Sequence, residues 1–203
     1  MKKKVEFYEI PDLFVFEPSL KKGRKGKITE EIHPEMAWVF QGEGVATVKY
    51  DGVPCAIIDG QYYRNYKPGR SLEGAIPWND FEKNPKPEHY WIPVDPEKDL
   101  YHMDAFYNTD CRSRYPLPDG TYELIGAHFC RNPYQMDHDI LVPHGKKIID
   151  RTFASAEEIR SYLGKHQIEG IVFWKDGKPQ CKVTRRDYGI KWPLPKKQGN
   201  KRK

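Results

Sequence analysis

Asp59-Gly60, Asp119-Gly120 and Asp176-Gly177 each stand beside or between strand-like runs. That recurrence constrains the fold more than any other feature of the chain. Asp-Gly tolerates the positive φ of a tight two-residue turn, so each pair predicts neighbouring strands that run antiparallel. The first joins Pro54–Ile58 to Gln61–Tyr66, setting Ile58 opposite Gln61 and Cys55 opposite Arg64. The second launches Thr121–Gly126, where alternation sends Glu123 to one face and Leu124 to the other. The third joins Gly170–Trp174 to Pro179–Val183. Counting back from a two-residue loop pairs Ile171 with Lys182 and Glu169 with Thr184. Glu169, Ile171, Phe173, Lys182 and Thr184 are then expected on one face.

Helix signals are fewer. Ser155-Ala156-Glu157-Glu158 reads as a capping box, Ile159, Tyr162 and Leu163 form an apolar stripe, and Gly164 ends the helix. Asp95-Pro96 caps a second helix carrying Leu100, Met103 and Phe106. Pro77–Pro93 reads as a loop. Strands dominate, so the expected class is α+β with a largely antiparallel sheet and a few flanking helices.

The chain has 203 residues, enough for one full-sized domain. One unit over residues 1–195 is expected, followed by a basic tail at 196–203. Aromatics at 13% argue for a packed core rather than disorder. No apolar run reaches bilayer-spanning length, and the basic start is not followed by a signal-peptide core, so a cytoplasmic protein is expected. Cys55, Cys111, Cys130 and Cys181 lack zinc-site spacing and read as reduced, mostly buried thiols. The net charge of +5 is matched by five basic residues between Lys196 and Lys203, so the rest of the chain is neutral. A second cluster holds Lys21, Lys22, Arg24, Lys25 and Lys27. Two separated basic clusters point towards nucleic acid, which gains affinity through counterion release.

Lys49-Tyr50-Asp51-Gly52 reads K-x-D-G, and the residues after it form an ordered series. An arginine, Arg64, lies on the returning strand. Then come Glu123-Leu124-Ile125-Gly126, Glu169-Gly170-Ile171-Val172-Phe173, and Lys182. This series resembles the motifs of the covalent nucleotidyltransferases, the ATP-dependent ligases and mRNA-capping guanylyltransferases, from about Trp38 to Pro193. Further stretches resemble the small ATP-dependent 5′-to-3′ RNA ligases: Gly42-Glu43-Gly44, Asn132-Pro133-Tyr134, Leu141-Val142-Pro143-His144-Gly145, Asp187-Tyr188-Gly189 and Trp192-Pro193.

The resemblance implies an adenylation-domain fold and a set of roles. Lys49 is the nucleophile that takes AMP from ATP. A lysine amine acts this way only when deprotonated, which burial and neighbouring cations favour. Asp51 orients its neighbours, Arg64 among them, near the ribose, Gly52 leaves room for the nucleotide, and Arg64 touches the ribose and later the RNA 5′-phosphate, for which a guanidinium fork is suited. Glu123 binds a ribose hydroxyl. Glu169 helps to hold Mg²⁺ or Mn²⁺, which needs no dense acidic cage. Lys182 contacts the α-phosphate. Where many members carry a second lysine this chain has Thr184, followed by Arg185 and Arg186, which can supply the charge or touch nucleic acid. The backbone at Thr47-Val48 is a candidate reader of the adenine edge, and one residue within Ile140–His144 a candidate stacking partner. His144, His128 and His138 read equally as satisfied structural histidines.

The implied partner is RNA bearing 5′-phosphate and 3′-hydroxyl ends, with no membrane and no protein partner. Ten residues follow Pro193, so the C-terminal β-barrel usual in DNA ligases and capping enzymes is not expected. A minimal DNA ligase and a catalytically silent nucleic-acid-binding module on the same scaffold remain alternatives.

Overall fold

The computed structural model describes residues 5, 7, 9–19, 25–67, 74–78, 89–110 and 116–193. In chain order the elements are β1 (Phe14–Phe16), β2 (Ile28–Ile32), a 3₁₀ turn (Pro34–Val39), β3 (Val45–Lys49), β4 (Val53–Ile58), β5 (Gln61–Tyr66), β6 (Ile76–Pro77), β7 (Tyr90–Pro93), α1 (Leu100–Asp110), β8 (Gly120–Ile125), β9 (Ile140–Pro143), α2 (Ala156–Lys165), β10 (Gly170–Lys175) and β11 (Lys178–Thr184). Every ladder between these strands is antiparallel, which with the two short helices makes an α+β protein. Among the described residues no helix is long and apolar enough to cross a membrane. Two compact units emerge, one of Met1–Glu9 with Asp51–His144 and one of Ile10–Tyr50 with Gly145–Lys203.

The first unit is built on a six-stranded sheet of order β6-β7-β5-β4-β8-β9. Asp59 and Gly60 both have positive φ, and the hairpin they close has the expected register, Ile58 opposite Gln61 and Cys55 opposite Arg64. Strand alternation buries both faces. Cys55, Ile57, Tyr62, Tyr122 and Leu124 pack with Ala105 of α1, while Ala56, Ile58, Tyr63 and Trp91 pack with Phe7, Ile76 and Trp78.

Two expectations change here. Asp95-Pro96 opens a turn rather than the helix: the Asp95 carboxylate accepts from the Glu97 and Lys98 amides, and the first helical turn is anchored at Asp99, whose carbonyl accepts from Met103. Met103 and Phe106 pack inward, but Leu100 is 59% exposed. The ends of the expected loop Pro77–Pro93 pair as β6 and β7, because Trp91 finds full burial on the sheet. Residues 79–88 lie outside the described residues, as does Cys111.

The second unit carries the three-stranded sheet β11-β10-β3 and the β1-β2 ribbon. Ser155 caps α2 by accepting from the Glu158 amide at 3.3 Å, and the Glu158 carboxylate returns to the Ala154 amide. The helix runs one residue beyond Gly164 and buries Ala156, Ile159 and Leu163 against Ile171, Phe173, Cys181 and Val183.

The β10–β11 hairpin departs from its expected register. Asp176-Gly177 does form a two-residue turn, with Lys175 opposite Lys178 and Trp174 opposite Pro179. Gln180 is then an extra residue, a β-bulge, and beyond it Phe173 pairs with Cys181, Val172 with Lys182, Ile171 with Val183, and Gly170 with Thr184. Lys182 therefore does not share a face with Ile171 and Phe173. The apolar residues decide this. A regular ladder would aim Cys181 and Val183, both buried, away from the core and turn Lys182 into it.

Candidate active site

The K-x-D-G stretch is divided between the units after Tyr50, and the residues on either side of that point are held by different sheets.

In the unit of β3, β10 and β11, register sets the chemistry. Lys49 pairs with Gly170 and Thr47 with Val172, while Gly170 pairs with Thr184 and Val172 with Lys182. Lys49, Thr47, Lys182 and Thr184 thus share the face opposite the α2 core. Adjacent strands are about 4.8 Å apart, so the backbones of Lys182 and Thr47 lie roughly 10 Å apart across β10. Gly170 leaves the strip between Lys49 and Thr184 without a side chain, and a Cβ there would lie 2.3 Å from the Val183 carbonyl oxygen.

The Lys49 Nζ donates to Glu169 Oε2 at 2.5 Å, with the two side chains 25% and 13% exposed. Glu169 lies one residue before β10, where the chain bends, and its carbonyl accepts from the Arg185 amide. The pair is largely shielded from solvent and sets a carboxylate, a proton acceptor, against the amine. Among the described residues no group of three or more His, Cys, Asp or Glu is placed to hold a metal ion. Glu169 offers a single carboxylate, which suits only a cation that completes its shell with phosphate oxygens and water.

The backbone at Thr47-Val48 is engaged on both sides of its strand. β3 pairs with β10 on one side, and on the other the Val48 amide donates to the Lys147 carbonyl and the Ala46 carbonyl accepts from Ile149. The buried Thr47 hydroxyl donates to the Val172 carbonyl and accepts from Trp174 Nε1 at 2.9 Å.

In the other unit three side chains hold the Asp51-Gly52 turn. The Asp51 amide donates to the Tyr134 hydroxyl at 2.6 Å, the Gly52 amide donates to Glu123 Oε1 at 2.9 Å, and the Cys130 thiol donates to the Gly52 carbonyl. A Cβ on Gly52 would sit 2.3 Å from the Leu124 carbonyl oxygen and 2.9 Å from Glu123 Cγ, so only glycine fits. Glu123 also meets His144, whose Nε2 lies 2.8 Å from Oε2.

Arg64 is not brought to Glu123. Its row runs through Cys55 to Tyr122, and Glu123, the next residue along β8, points to the opposite face. Arg64 Nε instead donates to Asp99 Oδ2 at 2.9 Å, tying β5 to the start of α1. Tyr134, Cys130, His144 and Asp99 thus hold the predicted site residues without having been singled out for that work. Tyr134 and Cys130 lie in an irregular segment with positive φ at Cys130, Arg131, Asn132 and Gln135, shaped by two Asn132 side-chain bonds to Met136. Such geometry has no periodic signature. His128 is structural, with Nδ1 2.6 Å from the buried Asp139 carboxylate and its ring stacked on Tyr101.

The basic candidates separate. Arg185 is 1% exposed, and its guanidinium donates to the carbonyls of Leu163, Gly164 and Lys191. It closes the C-terminal end of α2, so its guanidinium is turned into the protein rather than to the surface. Arg186 is exposed. Lys25 is exposed but bound to Asp12 at 2.6 Å. Lys21, Lys22, Arg24 and the tail 196–203 lie outside the described residues. No known family model matches this chain, and no curated protein matches it.

Proposed function

We propose that this chain is an ATP-dependent RNA ligase, its sheets those of an adenylation domain, working through a lysine–AMP intermediate on Lys49. The observation that carries the reading is the Lys49–Glu169 ion pair on the sheet face that also receives Lys182. The amine, a carboxylate and a second cation are gathered although they lie far apart in sequence.

In the first step the Lys49 amine, having lost its proton, attacks the α-phosphorus of ATP. A nitrogen–phosphorus bond forms, the bond to the bridging oxygen breaks, and pyrophosphate leaves with that electron pair. Glu169 is the nearest acceptor for the proton, and Lys182 balances phosphate charge. In the second step a terminal oxygen of the RNA 5′-phosphate attacks the same phosphorus, the nitrogen–phosphorus bond breaks, and AMP is carried on the RNA end. In the third, the RNA 3′-hydroxyl attacks the 5′-phosphate, forms the phosphodiester and expels AMP. Positioning and charge neutralisation do most of this work. Glu169 is the residue to hold Mg²⁺ or Mn²⁺, which supplies further neutralisation at the α-phosphate. Glu123 receives the ribose hydroxyls. Arg64, bound to Asp99, is given no part.

The test is incubation with α-labelled ATP and Mg²⁺ or Mn²⁺. The expected result is a covalent label on the intact chain that Lys49→Ala abolishes, followed by joining of 5′-phosphate to 3′-hydroxyl RNA. Absence of label with every nucleotide and metal overturns the reading in favour of a nucleic-acid binder. Joining of nicked DNA in preference to RNA moves it to a minimal DNA ligase.

A further inference from the structure

The contacts of Glu123 go beyond its expected role. β8 and β9 pair with Tyr122 opposite Pro143 and Glu123 opposite Val142, and one step further the His144 amide donates to the Thr121 carbonyl. Thr121, Glu123 and His144 therefore share one face, with Glu123 and His144 as diagonal neighbours within side-chain reach. The imidazole is fixed at three points. Nδ1 lies 3.0 Å from Thr121 Oγ1, Nε2 lies 2.8 Å from Glu123 Oε2, and the ring stacks on Phe7 at 5.3 Å between centroids. Phe7 is itself held edge-on by Trp78 and Trp91.

Hydrogen-bond accounting assigns the direction of this chain. A carboxylate only accepts, so Nε2 is the donor to Glu123. In the neutral ring Nδ1 is then the acceptor, which the Thr121 hydroxyl satisfies. With the Gly52 amide on Oε1 and the His144 ring on Oε2, each carboxylate oxygen already accepts from one donor and has one further lone-pair direction in which to accept. Two vicinal hydroxyls are what such a carboxylate can still receive.

We propose that His144 is a positioning residue that orients Glu123 towards the ribose diol and thereby sets the preference for a ribonucleotide over a deoxyribonucleotide. The proposal rests on the ligase reading above. It assigns to His144 a part in substrate choice and none in the bond-making steps.

The experiment is the rate of Lys49 labelling with ATP and with 2′-deoxy-ATP, across concentration, for wild type and His144 variants. Wild type is expected to favour ATP at least tenfold in kcat/KM. His144→Ala should reduce the ATP value about tenfold, mostly through KM, and leave the 2′-deoxy-ATP value within about twofold, so the preference collapses. His144→Gln, whose amide nitrogen can reach the place of Nε2, should restore most of it. In a Glu123→Ala background His144→Ala should cost nothing more. Equal losses with both nucleotides, or no rescue by glutamine, make His144 a merely structural residue and overturn the proposal. A labelled wild type without ATP preference overturns it through Glu123, leaving the Lys49 chemistry standing. An unlabelled wild type overturns the ligase reading itself, and this proposal with it.

Discussion

Replacing Arg185 with methionine should destabilise the protein without altering any contact to RNA. The side chain keeps most of its volume but loses the guanidinium. Nε and one terminal nitrogen together bind the Leu163 carbonyl, and weaker contacts reach Gly164 and Lys191. Leu163 and Gly164 belong to the last turn of α2, where carbonyls have no partner within the helix and carry the negative end of its dipole. Hydrogen bonds from charged donors contribute about 1.5–3 kcal/mol each, and an orphaned buried acceptor costs about 1–3 kcal/mol. Release of a buried charge offsets part of that loss. The net cost is roughly 2–4 kcal/mol, which for a chain of this size lowers Tm by roughly 5–12 °C. Arg185→Lys should fall between, because an ammonium cannot reproduce the fork. The assay is thermal unfolding by circular dichroism beside RNA binding by filter retention, with exposed Arg186→Met as control. If Arg185→Met melts with the wild type yet loses RNA binding, the burial argument is wrong and Arg185 is a nucleic-acid contact.

Other outcomes follow from the same geometry. Glu169→Gln should leave unfolding nearly unchanged and lower Lys49 labelling at least a hundredfold; chelation of divalent ions should abolish labelling, and Mg²⁺ or Mn²⁺ restore it. Gly44 has φ of +72°, and a Cβ there would lie 2.4 Å from the Trp174 carbonyl oxygen and 2.7 Å from the Trp38 ring. Gly44→Ala should therefore cost more than about 1 kcal/mol, read as a lower denaturant midpoint. Burial pushes the His102 imidazole down from 6.5 to about 4, while Tyr62 lies 3.0 Å from its Nδ1. Between those values the unfolded chain binds a proton that the folded chain refuses, so stability falls as pH drops from 6.5 towards 4. His102→Gln should flatten that part of the stability–pH curve, and an unchanged slope would refute the assignment.

The features legible in the sequence are those decided within a few residues. Asp59-Gly60 and Asp176-Gly177 close their hairpins as two-residue turns, because positive φ at both positions is a property of those residue types. Ser155 and Glu158 cap α2 because each reaches a backbone amide nearby. Lys49 and Glu169 could be paired in advance only through the order of motifs, yet the fold does bring them to 2.5 Å.

What the sequence alone could not decide depends on burial across strands. Turn counting puts Lys182 opposite Ile171, but inserting Gln180 as a bulge buries Cys181 and Val183 and delivers Lys182 to the face of Lys49. Arg185 has the composition of a surface residue and is claimed by the carbonyls of α2, 21 and 22 positions away in sequence. Arg64 and Glu123 are separated by the thickness of a sheet because register assigns them opposite parity. His144 meets Glu123 only because β8 and β9 pair as they do. Local rules specify which residues can turn, cap or accept a proton. Only apolar burial, summed over strands distant in sequence, selects the face on which each of them stands.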